Sequence, residues 1–526
     1  MSDSDRLFQR DCGILLHPTS LPNAYGVGDF GPAAHRWVDL LADSGQSLWQ
    51  ILPLNPAGYG DSPYQGLSAF AANPVFLSPE SLHAMGLIPQ ELLDSLRLPP
   101  GAEVDYARVY ANKVQLSKRV ADTFFKLDEE NPLRVAYAAF LQDEAEWIDE
   151  FACFYALKDS FGGVAWTDWP TPFRDREPEA LEQARAELAD EMARAKLEQF
   201  LLRKQWDAVR ATARKRGVRI IGDLPIFVAH DSVDVWCWRH LFRLNPDGSP
   251  SVMAGVPPDY FSSTGQLWGN PLYDWSAHRA DGFAWWRKRL RQTLAWVDVV
   301  RIDHFRGFEA CWEIPGNAKT AMDGHWVSAP GREVFEAFVE DRGLPLPVIA
   351  EDLGVITPEV VELRDRFNLP GIRVEQFAFG TDPMKDTFSP EAYSPNCVAY
   401  TGTHDNDTVV GWFNSVAGEG STRSEEQIRA EREEALAYFG GDGSEIHFDF
   451  IRSLYASNGG AAIVPIQDVL GLGSEARMNT PGRPSGSWRW RLRSFEPILA
   501  PMQQLKTLTA ETKRGAHAPV MTPLAS

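Results

Sequence analysis

The sequence predicts an α/β fold in which eight parallel strands close into a (β/α)8 TIM barrel with inserted, largely helical subdomains. Two observations support this prediction. Eight short apolar runs have the length and composition of buried parallel strands, and helical patterns lie between many of them. Four of the runs also end in a charged or polar cluster, as expected at the face where barrel enzymes keep their active sites. The predicted strands are residues 13–18, 47–54, 218–225, 297–303, 347–352, 371–379, 397–405 and 461–470.

Two of the helices between these strands carry clear end signals. A long helical pattern over 191–216 runs into Gly217, a residue type that commonly follows the last turn of a helix. Thr357 precedes Pro358, and this pair matches an N-cap followed by Pro at the first helical position, opening a helix that continues over 360–367. Helices that directly follow or precede strands are what the barrel requires.

The spacing between strands is uneven, and the extra residues predict insertions in one catalytic barrel over residues 1–526. The longest, 55–200, is a charged and mostly helical subdomain after the second strand. Residues 227–285 form an insertion with a Pro-, Gly- and Ser-rich loop that carries aromatic side chains. Residues 406–458 form an insertion between the seventh and eighth strands, with an acidic helix over 424–438. Only a loop and a helix follow the eighth strand, so no C-terminal β-sandwich domain is expected.

The composition excludes several classes of partner. The formal net charge of −21 argues against nucleic acid and against anionic membrane surfaces, and it is compatible with a neutral substrate. Five scattered cysteines without a CxxC pair indicate neither a disulfide framework nor a zinc site. The first residues lack the apolar core of a signal peptide, and no run of about 18 apolar residues occurs. A cytoplasmic protein without a membrane span is therefore expected.

The fourth predicted strand carries the first candidate catalytic residue. Side chains alternate along a strand, so Val299, Arg301 and Asp303 share one face, and Arg301 and Asp303 both point into the barrel mouth. An adjacent guanidinium keeps a carboxylate ionised, which is the state that a nucleophilic carboxylate needs. A structural ion pair is an equally good interpretation of these two residues alone.

Glu351 follows the apolar residues 348–350 at the end of the fifth predicted strand. A general acid must be protonated at neutral pH, so we expect burial and a neighbouring carboxylate to raise its pKa. Asp352 is expected to face the other way and to bind local backbone. Glycoside chemistry needs two carboxyl groups, and the pair of Asp303 and Glu351 would supply them.

Three further polar residues end predicted strands. A carboxylate at Asp405 would accept hydrogen bonds from sugar hydroxyls, and a neutral His404 would donate one more. Asp223 ends the third strand and would support the nucleophile strand or reach the substrate. His404 and Asp223 each have a structural alternative, since a loop histidine is usually satisfied by local contacts and an aspartate often caps a turn.

A glycine-rich motif after the eighth strand competes with these assignments. Residues 471–476 match G-x-G-x-x-A, the fingerprint of a dinucleotide site, which would indicate a nicotinamide dehydrogenase. That fingerprint requires a helix to begin there, whereas the following residues, 477–482, have the composition of a loop. A loop over the barrel mouth is the better interpretation.

Six segments together resemble the 4-α-glucanotransferases, also called amylomaltases or disproportionating enzymes, which form glycoside hydrolase family 77 of the α-amylase clan. The resemblance runs from Gly13 to about Arg491. The segments are GYGDSPYQ (58–65), GDLPIFVAHDSVDVW (222–236), PPDYFSSTGQLWGNPLYDW (257–275), RIDHFRGF (301–308), AEDLG (350–354) and GTHDNDT (402–408).

The resemblance implies a role for each candidate residue. Asp303 would be the nucleophile, Glu351 the acid/base and Asp405 the stabiliser of the transition state. No cofactor and no metal are implied, and no segment has the spacing of a calcium-binding loop. The implied donor-site residues are Arg301, His404 and Asp223, and the further implied sugar contacts are Tyr59, Asp259, Tyr260 and Trp268.

The implied reaction moves a segment of an α-1,4-glucan to the 4-hydroxyl of an acceptor glucan or glucose, through a covalent glycosyl-enzyme and with retention. The expected partners are α-1,4-glucans and maltooligosaccharides, bound by a monomer or a weak homo-oligomer. An α-glucan hydrolase or a branching enzyme of the same clan would share the three carboxylates and stays open as an alternative. A non-catalytic glucan-binding protein is disfavoured because all three carboxylates and Arg301 are present.

Overall fold

The computed structural model describes residues 6–258, 264–381, 383–418, 423–483 and 485–515. Its strands are β1 (Asp11–Leu15), β2 (Leu48–Gln50), β3 (Arg219–Pro225), β4 (Val252–Val256), β5 (Gln266–Pro271), β6 (Val299–Asp303), β7 (Ala310–Pro315), β8 (His325–Ser328), β9 (Val348–Ala350), β10 (Gly371–Val374), β11 (Cys397–Tyr400) and β12 (Ala461–Pro465).

The α-helices surround these strands or lie in the long connections between them. They are α1 (Pro32–Asp43), α2 (Pro79–Ala84), α3 (Gln90–Ser95), α4 (Tyr106–Phe124), α5 (Pro132–Asp143), α6 (Ile148–Ser160), α7 (Thr171–Arg174), α8 (Pro178–Glu187), α9 (Ala189–Lys215), α10 (Val233–Cys237), α11 (Trp275–Ala280), α12 (Ala284–Trp296), α13 (Gly331–Arg342), α14 (Pro358–Arg366), α15 (Val409–Asn414), α16 (Glu425–Phe439), α17 (Ile446–Ala456), α18 (Ile466–Val469) and α19 (Leu499–Glu511). No helix in the described ranges has both the length and the apolar character needed to cross a membrane.

Eight parallel strands close into a barrel in the order β1-β12-β11-β10-β9-β6-β3-β2. Each of the eight predicted strands contributes one of them, so the predicted (β/α)8 barrel is confirmed. Several strands are shorter than predicted. β11 ends at Tyr400 because the chain then turns, and the Asn406 side chain accepts hydrogen bonds from the backbone N–H and the hydroxyl of Thr403. The residues that follow are therefore loop residues at the mouth.

The barrel interior is packed with apolar side chains that point inward from its strands. Val299 belongs to this inner cluster, whereas Val300 and Ile302 belong to the larger cluster between the barrel and its helices. This alternation confirms that Arg301 and Asp303 share the inward face of β6. Inner residues that are less than 2 % exposed include Leu48, Ile221, Val299, Ile349, Ile372, Val398 and Ile463.

The predicted helix ends are found close to their expected positions. Helix α9 ends at Lys215, and Gly217 follows with a φ of +71°, a left-handed conformation that glycine adopts at low cost. Helix α14 begins at Pro358 with Thr357 as its N-cap, although the Thr357 side chain makes no cap hydrogen bond. The acidic helix α16 has a reciprocal capping box between Ser424 and Gln427.

The long connection from β2 to β3 contains α2 to α9, and buried amides on α9 bind the first part of the same connection. Gln199 exchanges two hydrogen bonds, at 2.8 and 2.9 Å, with the backbone of Ala72. Gln205 accepts a hydrogen bond of 2.8 Å from the Ser78 N–H. These contacts fix the segment that follows the second barrel strand. The division of the chain at 55–200, 227–285 and 406–458 stays a prediction.

A second sheet stands outside the barrel and was not predicted. It is antiparallel, with the strand order β5-β4-β7-β8. Its strands are short, and Gly255 in β4 and Gly269 in β5 interrupt the alternation of apolar residues. The sequence pattern of these two strands is therefore typical of a loop. The pairing of β4 with β7 joins residues of the predicted insertion 227–285 to residues that follow β6.

Gly13 on β1 offers a test of how tightly the barrel is closed. A Cβ at this position would lie 2.2 Å from the carbonyl oxygen of Leu48 on β2. We expect Gly13→Ala to lower the free energy of unfolding by about 1–3 kcal/mol, because the two strands must move apart. Thermal unfolding would show a lower Tm. Gly441→Ala is the control, since its Cβ would meet no atom closer than 3.4 Å. Equal Tm values for the two variants would contradict the prediction.

Candidate active site

The mouth of the barrel brings together six of the predicted site residues. Three of them lie within β3 or β6 near the carboxyl ends of those strands, and the other three follow β9 or β11. The six are Asp223, Arg301, Asp303, Glu351, His404 and Asp405. Because parallel barrel strands all end on one face, residues that are far apart in sequence become neighbours there.

Arg301 lies at the centre of this group and is 3 % exposed. Its Nη1 donates to Asp223 Oδ2 at 2.7 Å and to Asp303 Oδ1 at 3.0 Å. The β3–β6 register places Asp223 directly opposite Arg301. Burial alone would lower the pKa of Arg301, but Asp223 and Asp303 together raise it well above its ordinary value. The guanidinium is therefore a permanent positive charge beside Asp303.

Glu351 lies beside the turn that follows Asp303. Its Oε2 accepts a hydrogen bond of 2.6 Å from the His304 N–H, and its Oε1 accepts one of 3.0 Å from the Leu353 N–H. Burial is the largest cause of the shift that raises the pKa of Glu351 to about 8, and the charge of Asp303 adds to it, while Arg301 and the two N–H groups oppose it. The direction is the one that the sequence predicts for a general acid.

His304 has a backbone conformation that the sequence does not predict. Its φ of +54° is in the left-handed region, which is unfavourable for a residue with a side chain. This turn ends β6 directly after Asp303 and directs the His304 N–H to Glu351. The strained residue thus links the segments that carry the two candidate catalytic carboxyl groups.

Asp352 faces away from the mouth, as predicted. Its carboxylate accepts a hydrogen bond of 2.8 Å from the Ile372 N–H on the neighbouring strand β10. It also forms ion pairs with Arg364 and Arg373, the latter at 3.4 Å. Of the two adjacent acids, only Glu351 is available for chemistry at the mouth.

Asp405 and His404 lie in the loop after β11. The Asp405 side chain is 41 % exposed, and its Oδ2 is 3.3 Å from His404 Nε2. Its Oδ1 accepts a hydrogen bond of 2.6 Å from Asn479 Nδ2. His404 is buried, and its Nδ1 has no hydrogen-bond partner among the described residues. The loop therefore presents one exposed carboxylate and one buried imidazole to the mouth.

Tyr64 was not predicted as a site residue, although it lies in the segment GYGDSPYQ (58–65). Its hydroxyl donates to Asp223 Oδ2 at 2.9 Å, and its ring stacks on His404 with 5.1 Å between centroids. Burial and the charge of Asp223, with smaller contributions from Asp303 and Asp405, raise the pKa of Tyr64 well above its ordinary value. Trp488 packs against both rings, at 5.6 and 5.9 Å. The residues next to Tyr64 in the sequence give no signal that it belongs to the site. Only the resemblance of segment 58–65 to the family could have identified it.

Of the four other predicted sugar contacts, the structure describes the side chain of Trp268 alone. Trp268 on β5 packs edge to face against His304 with 4.9 Å between ring centroids, so it lies beside the residue that binds Glu351. Tyr59 belongs to a 3-10 turn, Tyr59–Asp61, but its side chain lies outside the described structure. Asp259 and Tyr260 lie outside the described residues.

The glycine-rich motif over 471–476 is a loop, as predicted. It contains a 3-10 turn, Ser474–Ala476, instead of the start of a helix. The Ser474 hydroxyl donates to Asp407 Oδ2 at 2.6 Å, which places this loop beside the residues after β11. Throughout the described ranges, no group of three or more His, Cys, Asp or Glu side chains is arranged to hold a metal ion.

Comparison with known proteins shows which family the chain belongs to. A family model described as 4-alpha-glucanotransferase matches residues 16–497. This chain belongs to the 4-alpha-glucanotransferase family. It is therefore a glucan-transferring enzyme of the glycoside hydrolase family 77 type, with the TIM barrel that the sequence predicts. The match spans all six site residues at the mouth.

Individual members of the 4-alpha-glucanotransferase family are similar along nearly the whole chain. The enzyme of Synechocystis sp. is 48% identical over 488 residues, covering 92% of this chain and 94% of the relative. That of Thermus thermophilus is 47% identical and covers 96% and 99%. Among solved structures, an amylomaltase from Streptococcus agalactiae in complex with acarbose is 37% identical, with a TM-score of 0.90 over 97% of this chain and 100% of that one.

The raised pKa of Glu351 predicts a cost in stability at alkaline pH. Its folded pKa of about 8 lies above its ordinary value of 4.5, so the stabilisation is full below about pH 4.5 and is lost as the pH rises towards 8. Glu351→Gln cannot ionise. We therefore expect the Tm difference, variant minus wild type, to grow between pH 5 and pH 9, as measured by thermal unfolding.

Glu359→Gln is the control for that comparison. Glu359 is exposed and its pKa is lowered by backbone and side-chain hydrogen bonds, so its Tm difference should not grow over the same range. A Tm difference for Glu351→Gln that stays constant with pH would contradict the assignment of a raised pKa.

Proposed function

We propose that this 4-alpha-glucanotransferase transfers α-1,4-glucan segments by a retaining double displacement in which Asp303 is the nucleophile, Glu351 the acid/base and Asp405 the transition-state stabiliser. The observation that carries the proposal is the contrast between two neighbouring carboxyl groups. Asp303 lies 3.0 Å from a guanidinium, whereas Glu351 has its pKa raised to about 8. Opposed environments of this kind distinguish the nucleophile from the acid in glycoside chemistry.

In the first step, an Asp303 oxygen attacks the anomeric carbon of the donor sugar as the bond to the leaving oxygen breaks. Glu351 gives its proton to that oxygen, and the released glucan fragment leaves with a free 4-hydroxyl. Positive charge develops on the sugar in the transition state, and in this proposal the exposed Asp405 carboxylate stabilises it. The products of this step are a glycosyl ester on Asp303 and an ionised Glu351.

In the second step, Glu351 acts as a base. It takes the proton from the 4-hydroxyl of an acceptor sugar, whose oxygen attacks the anomeric carbon and displaces Asp303. Two inversions give net retention and rebuild an α-1,4 bond. Transfer requires that the acceptor sugar outcompete water, which a water-excluding aromatic surface on the acceptor side favours.

Two groups of aromatic side chains contact residues of the mouth, and each supports one part of the proposed substrate site. Tyr64 and Trp488 pack against His404, next to Asp223 and Asp405, on the side proposed for the donor sugar. Trp268 packs against His304, whose N–H binds Glu351. Because the acid must reach the leaving oxygen, the proposed acceptor side is the one that Glu351 and Trp268 share.

The reaction class is tested with maltotriose as the sole substrate. We expect glucose and a ladder of longer maltooligosaccharides, with little growth in reducing ends, since each bond broken is replaced by another. Products are resolved by size and reducing ends are counted in the same samples. Asp303→Asn is the inactive control, because it keeps the shape but lacks the nucleophile. A steady rise in reducing ends without longer products would indicate a hydrolase.

The role of Glu351 is tested by pH and by leaving group. With a pKa of about 8, the acid loses its proton on the alkaline side, so we expect kcat/KM to fall as the pH rises through that region. Glu351→Gln should abolish transfer from maltooligosaccharides but spare glycosyl-enzyme formation from an α-glucosyl donor with a good leaving group. Asp303→Asn should fail on both donors. If Glu351→Gln reduced both reactions equally, Glu351 would not be the proton donor.

A further inference from the structure

Residues 477–479 lie against the loop that carries Asp405 and have no role in the reaction as described so far. They follow the 3-10 turn Ser474–Ala476, and their backbone is held in place on both sides. Asn479 N–H donates to the His404 carbonyl at 3.1 Å, and the Met478 carbonyl accepts a hydrogen bond of 2.7 Å from Trp488. The 477–479 segment is thus a fixed part of the barrel mouth.

Two side chains of the 477–479 segment bind Asp405 directly. Asn479 Nδ2 donates to the Asp405 carboxylate at 2.6 Å, and Arg477 Nη2 donates to the Asp405 backbone carbonyl at 2.6 Å. Arg477 Nε also donates to the Asn479 carbonyl at 2.6 Å, which ties the two contacts together. Arg477 and Asn479 therefore hold both the main chain and the side chain of Asp405.

Asp405 has little other support of its own. Its side chain is 41 % exposed and it lies beyond the end of β11, outside the ladder of barrel hydrogen bonds. Within its own loop, the Asp405 N–H reaches Thr403 Oγ1 only at 3.3 Å, and His404 Nε2 is 3.3 Å from the carboxylate. Without Asn479, one carboxylate oxygen would lose its shortest contact, and the side chain would be held only by the longer contact with His404.

We propose that Arg477 and Asn479 are positioning residues that aim the Asp405 carboxylate at the donor sugar. The proposal rests on the role of Asp405 in the proposed function. Electrostatic stabilisation needs a charge that is already oriented before the transition state forms, because reorientation during the reaction costs activation energy. A displacement of about 1 Å at such a group can cost on the order of 100-fold in rate.

The test is a double-mutant cycle between Asn479→Ala and Asp405→Asn, measured as kcat and KM with maltotriose. In the wild-type background we expect Asn479→Ala to lower kcat by about 100-fold with little change in KM. In the Asp405→Asn background it should cause no further loss, because the group that it positions is gone. Affinity for acarbose, which is bound in the structure of the related amylomaltase, should follow the same non-additive pattern without requiring turnover.

Asn479→Asp adds a readout that a merely structural residue would not move. This variant places two carboxyl groups at hydrogen-bond distance, so one must hold a proton for the contact to survive. We expect its kcat to recover towards acidic pH, whereas the kcat of Asn479→Ala should keep the wild-type pH profile at a lower level. Arg477→Lys, which loses the paired donors of the guanidinium, should lower kcat in the same direction as Asn479→Ala.

Asn396→Ala is the matched control. Asn396 donates a side-chain hydrogen bond of 3.1 Å to Asn368 just before the opposite end of β11, so its loss removes an equivalent amide contact away from the mouth. It should leave kcat unchanged. Equal losses from Asn479→Ala in both backgrounds, or a raised KM with normal kcat, would overturn the positioning role. Near-normal kcat for Asp405→Asn would instead overturn the role of Asp405 in the proposed function and the positioning role with it.

Discussion

The structure of the mouth depends on the burial of one cation. Arg301 is almost fully excluded from solvent, and a buried charge is tolerated only where opposite charges and hydrogen bonds compensate it. Asp223 and Asp303 provide that compensation from two neighbouring strands. Removing one partner from a buried pair typically costs about 3–5 kcal/mol. The same three residues therefore hold β3 against β6 and set the charge around the proposed nucleophile.

The Arg301 cluster extends outward through contacts that each have a structural and a chemical consequence. Tyr64 binds Asp223 and stacks on His404, which connects the segment after β2 to the loop after β11. On the other side, the left-handed turn at His304 directs an N–H group to Glu351. Two carboxyl groups at the mouth therefore have opposite surroundings. Asp303 lies beside a cation, whereas the surroundings of Glu351 favour its protonated form.

Much of this arrangement could be predicted from the sequence, for identifiable physical reasons. Buried parallel strands leave continuous apolar runs, so all eight barrel strands were found, and the alternation along 299–303 correctly placed Arg301 and Asp303 on the inward face. The ends of strands were less accurate, since β11 stops where side-chain hydrogen bonds at Thr403 replace the ladder. Such a competition between local contacts is not visible in hydrophobic periodicity.

The features that escaped prediction depend on tertiary contacts. The positive φ of His304 is imposed by its surroundings and not by its residue type. Tyr64 acquires its importance from Asp223 and His404, which are distant in the chain. The sheet β5-β4-β7-β8 is built from short strands, of which β4 and β5 contain glycine. Its two halves lie on either side of β6 in the chain, so neither half carries a recognisable pattern alone.

That sheet has a consequence for how the enzyme assembles. Pairing of β4 with β7 brings together residues 252–255 and 312–315, and the chain between them contains the whole of β6. Contacts of such sequence separation form late, because the entropy of closing the intervening loop must be overcome first. Trp268 on β5 therefore reaches His304 only when the segments on both sides of β6 have paired, so this part of the mouth depends on the second sheet as well as on the barrel.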